Sequence, residues 1–247
     1  MRLLLDVGNT RLKWGLREAD RWLAQGAFAH DEAWDFGEVL PPPGRVSTAF
    51  GANVAGDAAV ARLDTALAPW SLKTGWLQPT RRCCGVENGY LEVRQLGADR
   101  WAALIGAWHL HAGPCLVVTA GTATTVDVLD ARGRFSGGLI LPGMDLMKRA
   151  LAGNTAQLPL ADGRHVALPA CTVDAIHMGC VNAQAGAIER MFRHVADLPG
   201  ACCLINGGAA PVIAPALGVP CRLIDNLVLE GVAVADPASL PVRRQTG

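Results

Sequence analysis

The chain has 247 residues, and its 22 Lys and Arg balance 22 Asp and Glu to a formal charge of zero. Hydrophobic residues reach 51% and charged residues only 18%, against roughly 25% charged in an ordinary soluble domain. These values exclude a disordered chain, which is apolar-poor and highly charged, and a nucleic-acid binder that works by bulk counterion release.

The chain opens with Leu3 to Leu5, an apolar strand that meets Asp6 at once. That run is too short for the apolar core of an export signal, and no stretch approaches the roughly 18 apolar residues of a membrane span. A cytoplasmic protein with no membrane partner is expected. Asp6-Val7-Gly8-Asn9-Thr10 then turns into the alternating run Arg11-Leu12-Lys13-Trp14-Gly15-Leu16, which reads as a β-hairpin. Pro41-Pro42-Pro43-Gly44 marks a loop before a strand expected at Arg45–Phe50. Apolar spacing predicts helices over Asp57–Leu67 and Ala98–His111, the second stopped by Gly113-Pro114.

The opening pattern returns at Cys115-Leu116-Val117-Val118. A small-residue turn, Thr119 to Thr125, leads to a strand at Val126–Leu129 and another at Arg134–Ile140. Helices are expected at Met144–Leu151, Asp174–Val195, Val212–Leu217 and Leu227–Ala235, with strands at Ala201–Ile205 and Arg222–Ile224. Strand, Gly/Thr turn, strand thus occurs twice, which is a weak internal repeat. Two similar α/β domains are expected, residues 1–112 and 113–247. The 8 Cys include two adjacent pairs, Cys83-Cys84 and Cys202-Cys203, and no C-x-x-C spacing. They are read as small buried hydrophobes.

A glycine turn after a buried strand brings backbone N–H groups close to an anion. Three such turns occur, at Asp6–Thr10, Gly121–Thr125 and Gly207-Gly208, with hydroxyls from Thr10, Thr122 and Thr124 and a charge from Lys13. Each is ordinarily just a hairpin. Two Thr-rich turns from two similar halves would instead grip a nucleotide from both sides. Leu96-Gly97-Ala98-Asp99-Arg100-Trp101 opens a predicted helix. Asp99 there is ordinarily a capping residue and Arg100 a surface ion pair. The functional reading has Asp99 accept a proton and Arg100 hold a carboxylate with its fork.

At these residues the chain resembles the type III pantothenate kinases of the actin-like ATPase and sugar-kinase superfamily. The resemblance covers essentially the whole chain. It rests on Asp6-Val7-Gly8-Asn9-Thr10 with Lys13, Tyr90, Gly97-Ala98-Asp99-Arg100, Gly121 to Asp127, Gly138 to Gly143, and Asn206-Gly207-Gly208. It implies an α/β fold of two ribonuclease-H-like domains with an ATP cleft between them. It implies transfer of the ATP γ-phosphoryl to the primary hydroxyl of pantothenate, the first step of coenzyme A synthesis, by a homodimer. By motif, Asp6, Val7, Gly8, Asn9, Thr10, Arg11, Leu12, Lys13, Gly121, Thr122, Gly207 and Gly208 would bind ATP. Tyr90, Gly97, Ala98, Asp99 and Arg100 would bind pantothenate, with Asp99 as proton acceptor and Thr172 reaching in from the partner subunit. Mg²⁺ would sit near Asp6 and Asp127, held mostly through water.

One position departs from the family. Many members carry Asp two residues before the glycine of the second turn, where it binds K⁺ or NH₄⁺; here it is Thr119. A neutral hydroxyl is a far weaker cation ligand than a carboxylate. The enzyme is therefore expected either not to need the monovalent cation or to bind it differently. Two other readings stand beside the leading one. The first is a kinase of the same superfamily with another small-molecule acceptor. The second is a non-catalytic regulator on the same scaffold.

Overall fold

The computed structural model describes residues 1–237. They form two compact units, one of Met1–Leu110 with the chain from Leu227 on, the other His111–Asn226.

The first unit begins with an antiparallel meander of β1 (Arg2–Val7), β2 (Arg11–Glu18) and β3 (Arg21–Ala29). β4 (Thr48–Asn53) returns parallel to β1, α1 (Asp57–Leu67) crosses over, and β5 (Thr74–Trp76) lies parallel to β4. The sheet order is β3-β2-β1-β4-β5. Alternation along the strands sends Leu3, Leu5 and Val7 of β1 and Leu12, Trp14 and Leu16 of β2 into one core, with Leu63 and Leu67 of α1. Asp6 and Lys13 are left on the opposite face. A small hairpin of β6 (Arg82–Cys83) and β7 (Val86–Asn88) follows, then α2 (Ala98–His111).

The second unit repeats the scheme. β8 (Cys115–Ala120), β9 (Ala123–Leu129) and β10 (Arg134–Pro142) form a meander, followed by α3 (Met144–Asn154) and α4 (Thr172–Phe192). β11 (Cys202–Asn206) runs parallel to β8, and after α5 (Ala210–Ile213), β12 (Cys221–Leu223) runs parallel to β11. Its strands therefore lie in the order β12-β11-β8-β9-β10. In both units the first strand is central, with the antiparallel second and third on one side and the parallel fourth and fifth on the other. Leu116, Val118, Val126 and Val128 face Met178, Val181 and Ile188 of α4 in the second core.

Several elements differ from the sequence-based expectation. β3 and β5 carry too little apolar periodicity to be read, and the strand expected at Arg45–Phe50 starts at Thr48. The last helix, α6 (Leu227–Ala235), packs on β1 and β4 of the first unit, although the expected second domain ran to residue 247. α6 crosses α2 closely: a Cβ on Gly231 would collide with the Ala102 carbonyl oxygen, and one on Gly106 would stand 2.6 Å from that of Leu227. Trp22 Nε1 donates to Glu230 Oε1 at 2.7 Å, and Arg2 pairs with Asp236 at 3.1 Å. An apolar helix must be covered, and chain order does not say by which sheet. No helix among the described residues is long and apolar enough to cross a membrane.

Candidate active site

In the first unit, Asp6 at the end of β1 is paired in register with Lys13 of β2. Asp6 is 8% exposed. Burial pushes its carboxyl up to about 6; the Lys13 charge opposes this, and the nearby Asp99 charge adds to it. The turn between these strands closes with Gly8 N donating to Arg11 O at 3.1 Å. His30 Nε2 donates to Gly8 O at 2.7 Å, a brace that no local pattern announces. Asn9, Thr10 and Arg11 are exposed at the turn, whereas the side chains of Val7 and Leu12 are buried in the core and leave only their backbone to the site.

α2 begins where Trp101 N donates to Gly97 O at 2.9 Å. Asp99 Oδ1 accepts from the Arg100 backbone N–H at 2.8 Å, and a Cβ on Gly97 would come within 2.5 Å of that same oxygen. Glycine at 97 is thus what lets the carboxylate fold back. Burial raises the Asp99 carboxyl above the usual range, opposed by the Arg100 amide and charge. Arg100 is itself buried. Its Nη1 donates to the Tyr90 hydroxyl at 3.0 Å, and its guanidinium carbon lies 5.6 Å from the Tyr90 ring centre.

Tyr90 is held by residues that sequence reasoning misses. Its N–H donates to Asn88 Oδ1 at 3.0 Å, and Arg81 Nη1 donates to the carbonyls of Asn88 and Tyr90 at 2.7 and 3.0 Å. Side-chain clamps on loop carbonyls leave no periodic trace. The first unit therefore brings Lys13 and Asp99 within electrostatic reach of Asp6, and joins Tyr90 to Arg100.

In the second unit the Gly121-Thr122 turn between β8 and β9 is pressed from two sides. Gly143 N donates to Thr122 O at 3.0 Å, and a Cβ on Gly143 would collide with Gly121 O. Gly207 has a φ of +101°, and a Cβ there would collide with Ala120 O; Gly208 faces open space. Gly121, Thr122, Gly207 and Gly208 thus belong to one backbone cradle.

Thr119 pairs in register with Thr125 on one side and Asn206 on the other. Asn206 Nδ2 donates to Thr119 Oγ1 at 3.0 Å and to Val118 O at 2.8 Å. Asn206 Oδ1, Thr124 Oγ1 and Thr125 Oγ1 are buried without a hydrogen-bond partner, so this end of the sheet holds polar atoms suited to a bound polar group. Asp127 shares the face of Thr119 and Thr125 by alternation; it is buried, and a Cβ on its register partner Gly138 would collide with its Oδ1. Thr172 is exposed at the first position of α4. Two residues on, Asp174 accepts from Arg164 N at 2.8 Å and Nη2 at 2.9 Å, which holds its carboxyl down to about 2. Among the described residues no group of three or more His, Cys, Asp or Glu is arranged to hold a metal ion. Asp6 in the first unit and Asp127 in the second are each buried carboxylates.

Two units of one topology, each with a turn at the end of its first strand, define the fold of the actin-like ATPases and sugar kinases. A solved candidate 2-dehydro-3-deoxygalactonokinase from Sinorhizobium meliloti shares it, with a TM-score of 0.58 and 15% identity over 100% of this chain and 99% of that one. So does a candidate Baf family transcriptional activator from Campylobacter jejuni, with a TM-score of 0.59 and 21% identity over 93% and 94% of the two chains. The family model for type III pantothenate kinase matches residues 2–194. A Type III pantothenate kinase from Aromatoleum aromaticum is 55% identical over 234 residues, 95% of this chain and 97% of that one. The chain belongs to the type III pantothenate kinase family.

Proposed function

We propose that this protein is an ATP-dependent pantothenate kinase, transferring the ATP γ-phosphoryl to the primary hydroxyl of pantothenate to give 4′-phosphopantothenate. Family membership at 55% identity supports the activity. The observation that carries the residue assignment is Asp99, folded back over Gly97 by the Arg100 amide at the head of α2. Phosphoryl transfer asks a protein mainly for positioning and charge neutralisation. In this reading the Arg100 fork and Tyr90 hold the pantothenate carboxylate, and the Asp99 carboxylate accepts the hydroxyl proton as oxygen attacks phosphorus. The raised affinity of Asp99 for a proton suits an acceptor. The turn from Gly8 to Lys13, and separately the Gly121-Thr122 and Gly207-Gly208 cradle, would let phosphates approach the backbone, although the Gly8 and Gly121 N–H groups themselves are held by Arg11 O and Ala123 O. Asp6 and Asp127 would hold hydrated Mg²⁺, which when bound offsets charge on the phosphate oxygens.

Three finer points belong to the same proposal. Thr119 Oγ1, a neutral hydroxyl that already accepts from the Asn206 amide, is a weak cation ligand, which supports an enzyme that either needs no monovalent cation or binds it differently. The protein works as a homodimer, with Thr172 of one copy reaching the pantothenate of the other. Ile140, Leu160 and Leu168, at 65%, 61% and 90% exposed in the second unit, give it apolar surface to bury. The setting is cytoplasmic, where disulfides are transient.

The test is ATP consumption dependent on pantothenate, for the wild type and Asp99→Asn side by side. We expect turnover only in the wild type. An inert wild type would overturn the activity, and a fully active Asp99→Asn the proton acceptor. The same assay in Na⁺, K⁺ and NH₄⁺ buffers tests the cation: strong K⁺ activation would sink the idea that Thr119 abolishes the site. Sedimentation of a monomer at micromolar concentration would refute the dimer.

A further inference from the structure

Both adjacent cysteine pairs lie at strand ends, but they differ in geometry. Cys202 and Cys203 are consecutive residues of β11, so alternation sends their thiols to opposite faces; Cys202 Sγ donates to the Cys203 carbonyl at 3.6 Å. Cys83 ends β6, and Cys84 opens the two-residue turn of the β6–β7 hairpin, where Cys83 pairs with Val86. Cys84 and Gly85 have φ of +50° and +84°, the mark of a type I′ turn. That turn favours Asn, Asp or Gly at its first central position, so a cysteine there is unusual. Gly85 is pressed against Trp108, whose Nε1 would stand 2.7 Å from a Cβ at that position.

The turn brings the two thiols together. Cys83 Sγ and Cys84 Sγ lie 3.4 Å apart, and Cys84 Sγ also reaches the Val234 carbonyl at 3.6 Å. Both residues are half-buried, so small solutes reach them; Cys171 is exposed and Cys221 half-buried, while Cys115, Cys180, Cys202 and Cys203 are buried. The hydrogen bond from Cys84 lowers the Cys83 thiol to about 7 and raises the Cys84 thiol in turn, a hold that ends once Cys83 is oxidised. A solvent-accessible thiolate beside a second thiol is the arrangement of a peroxide-reactive cysteine with its resolving partner.

We infer that Cys83 and Cys84 form a modification site that reacts with hydroperoxides and closes to a reversible disulfide between adjacent residues. The Cys83 thiolate attacks one peroxide oxygen; the S–O bond forms, the O–O bond breaks, and hydroxide leaves to become water. Cys84, giving its proton to solvent, then attacks the Cys83 sulfenic sulfur; the S–S bond forms and the S–O bond breaks, releasing a second water. Two thiols are oxidised by two electrons and one hydrogen peroxide is reduced to two waters. Adjacent Cα atoms are about 3.8 Å apart, below the usual disulfide range of roughly 4.4–6.8 Å, so the ring is strained and a small dithiol reopens it. The hairpin also carries Asn88, whose side chain holds Tyr90.

The experiment uses the full-length reduced protein, equimolar hydrogen peroxide, an iodoacetamide quench and tryptic mass spectrometry. Cleavage after Arg82 and Arg94 isolates both cysteines in one peptide, Cys83–Arg94. We expect that peptide to appear unalkylated and lighter by two hydrogens, about ten-fold faster than any buried cysteine is lost, and to be restored by dithiothreitol. In Cys84→Ser, closure should vanish and Cys83 should be trapped by dimedone as the sulfenic acid. Two alkylated cysteines in the peroxide-treated wild-type peptide would overturn the inference, as would Cys83 over-oxidation without closure. The wild-type result decides by itself if the variant fails to fold.

Discussion

Asp6 and Lys13 face each other across the first two strands, on the side of the sheet turned away from the apolar core. The pairing offsets burial without cancelling it, since the Asp6 carboxyl still sits at about 6. The folded chain therefore favours the neutral acid. That contribution to stability is fully present below 3.8 and is lost as pH rises through about 6. Asp6→Asn removes the ionised group, and should stabilise the protein at pH 7.5 by up to about 3 kcal/mol while abolishing turnover. Paired thermal melts at pH 4 and 7.5 check this. A variant less stable than wild type at pH 7.5 would contradict it.

Gly97 tests the orientation of Asp99. The atom that an alanine methyl would meet is the end of the Asp99 side chain, which can swing away. Gly97→Ala should thus fold with nearly the wild-type melting temperature, yet lose about 100-fold in kcat by displacing the carboxylate. Loss of kcat together with a large fall in melting temperature would mean that Gly97 is structural.

Gly207 predicts the opposite split. A methyl there meets Ala120 backbone, which cannot swing aside, and the φ of +101° is itself unfavourable for alanine. Gly207→Ala should cost on the order of 2 kcal/mol or more in urea unfolding. Gly208→Ala, with open space around its Cβ, should cost less than about 1 kcal/mol.

Arg100→Lys keeps the charge but gives up the planar fork and its place over the Tyr90 ring. If the fork holds pantothenate, KM for pantothenate should rise about ten-fold or more, with a smaller change in KM for ATP. Equal changes in both would point to a general disturbance of α2.

Local rules make much of this protein legible in its amino-acid order. The turn at Gly8-Asn9, the helix Ala98–His111 and the repeated strand-turn-strand unit follow from apolar periodicity and turn chemistry, which act over a few residues. The motifs strung along them point to the family. Tertiary structure alone decides what depends on distant contacts. It sets Asp6 in the field of Asp99, clamps Tyr90 with Arg81 and Asn88, and places α6 on the first sheet. The cysteines show the reason compactly. Cys83-Cys84 and Cys202-Cys203 are the same dipeptide, yet a left-handed turn brings one pair of thiols to 3.4 Å while strand alternation parts the other. The charge balance and apolar excess exclude a disordered chain and a bulk-electrostatic nucleic-acid binder; which few polar groups meet depends on backbone dihedrals and on which surfaces pack together.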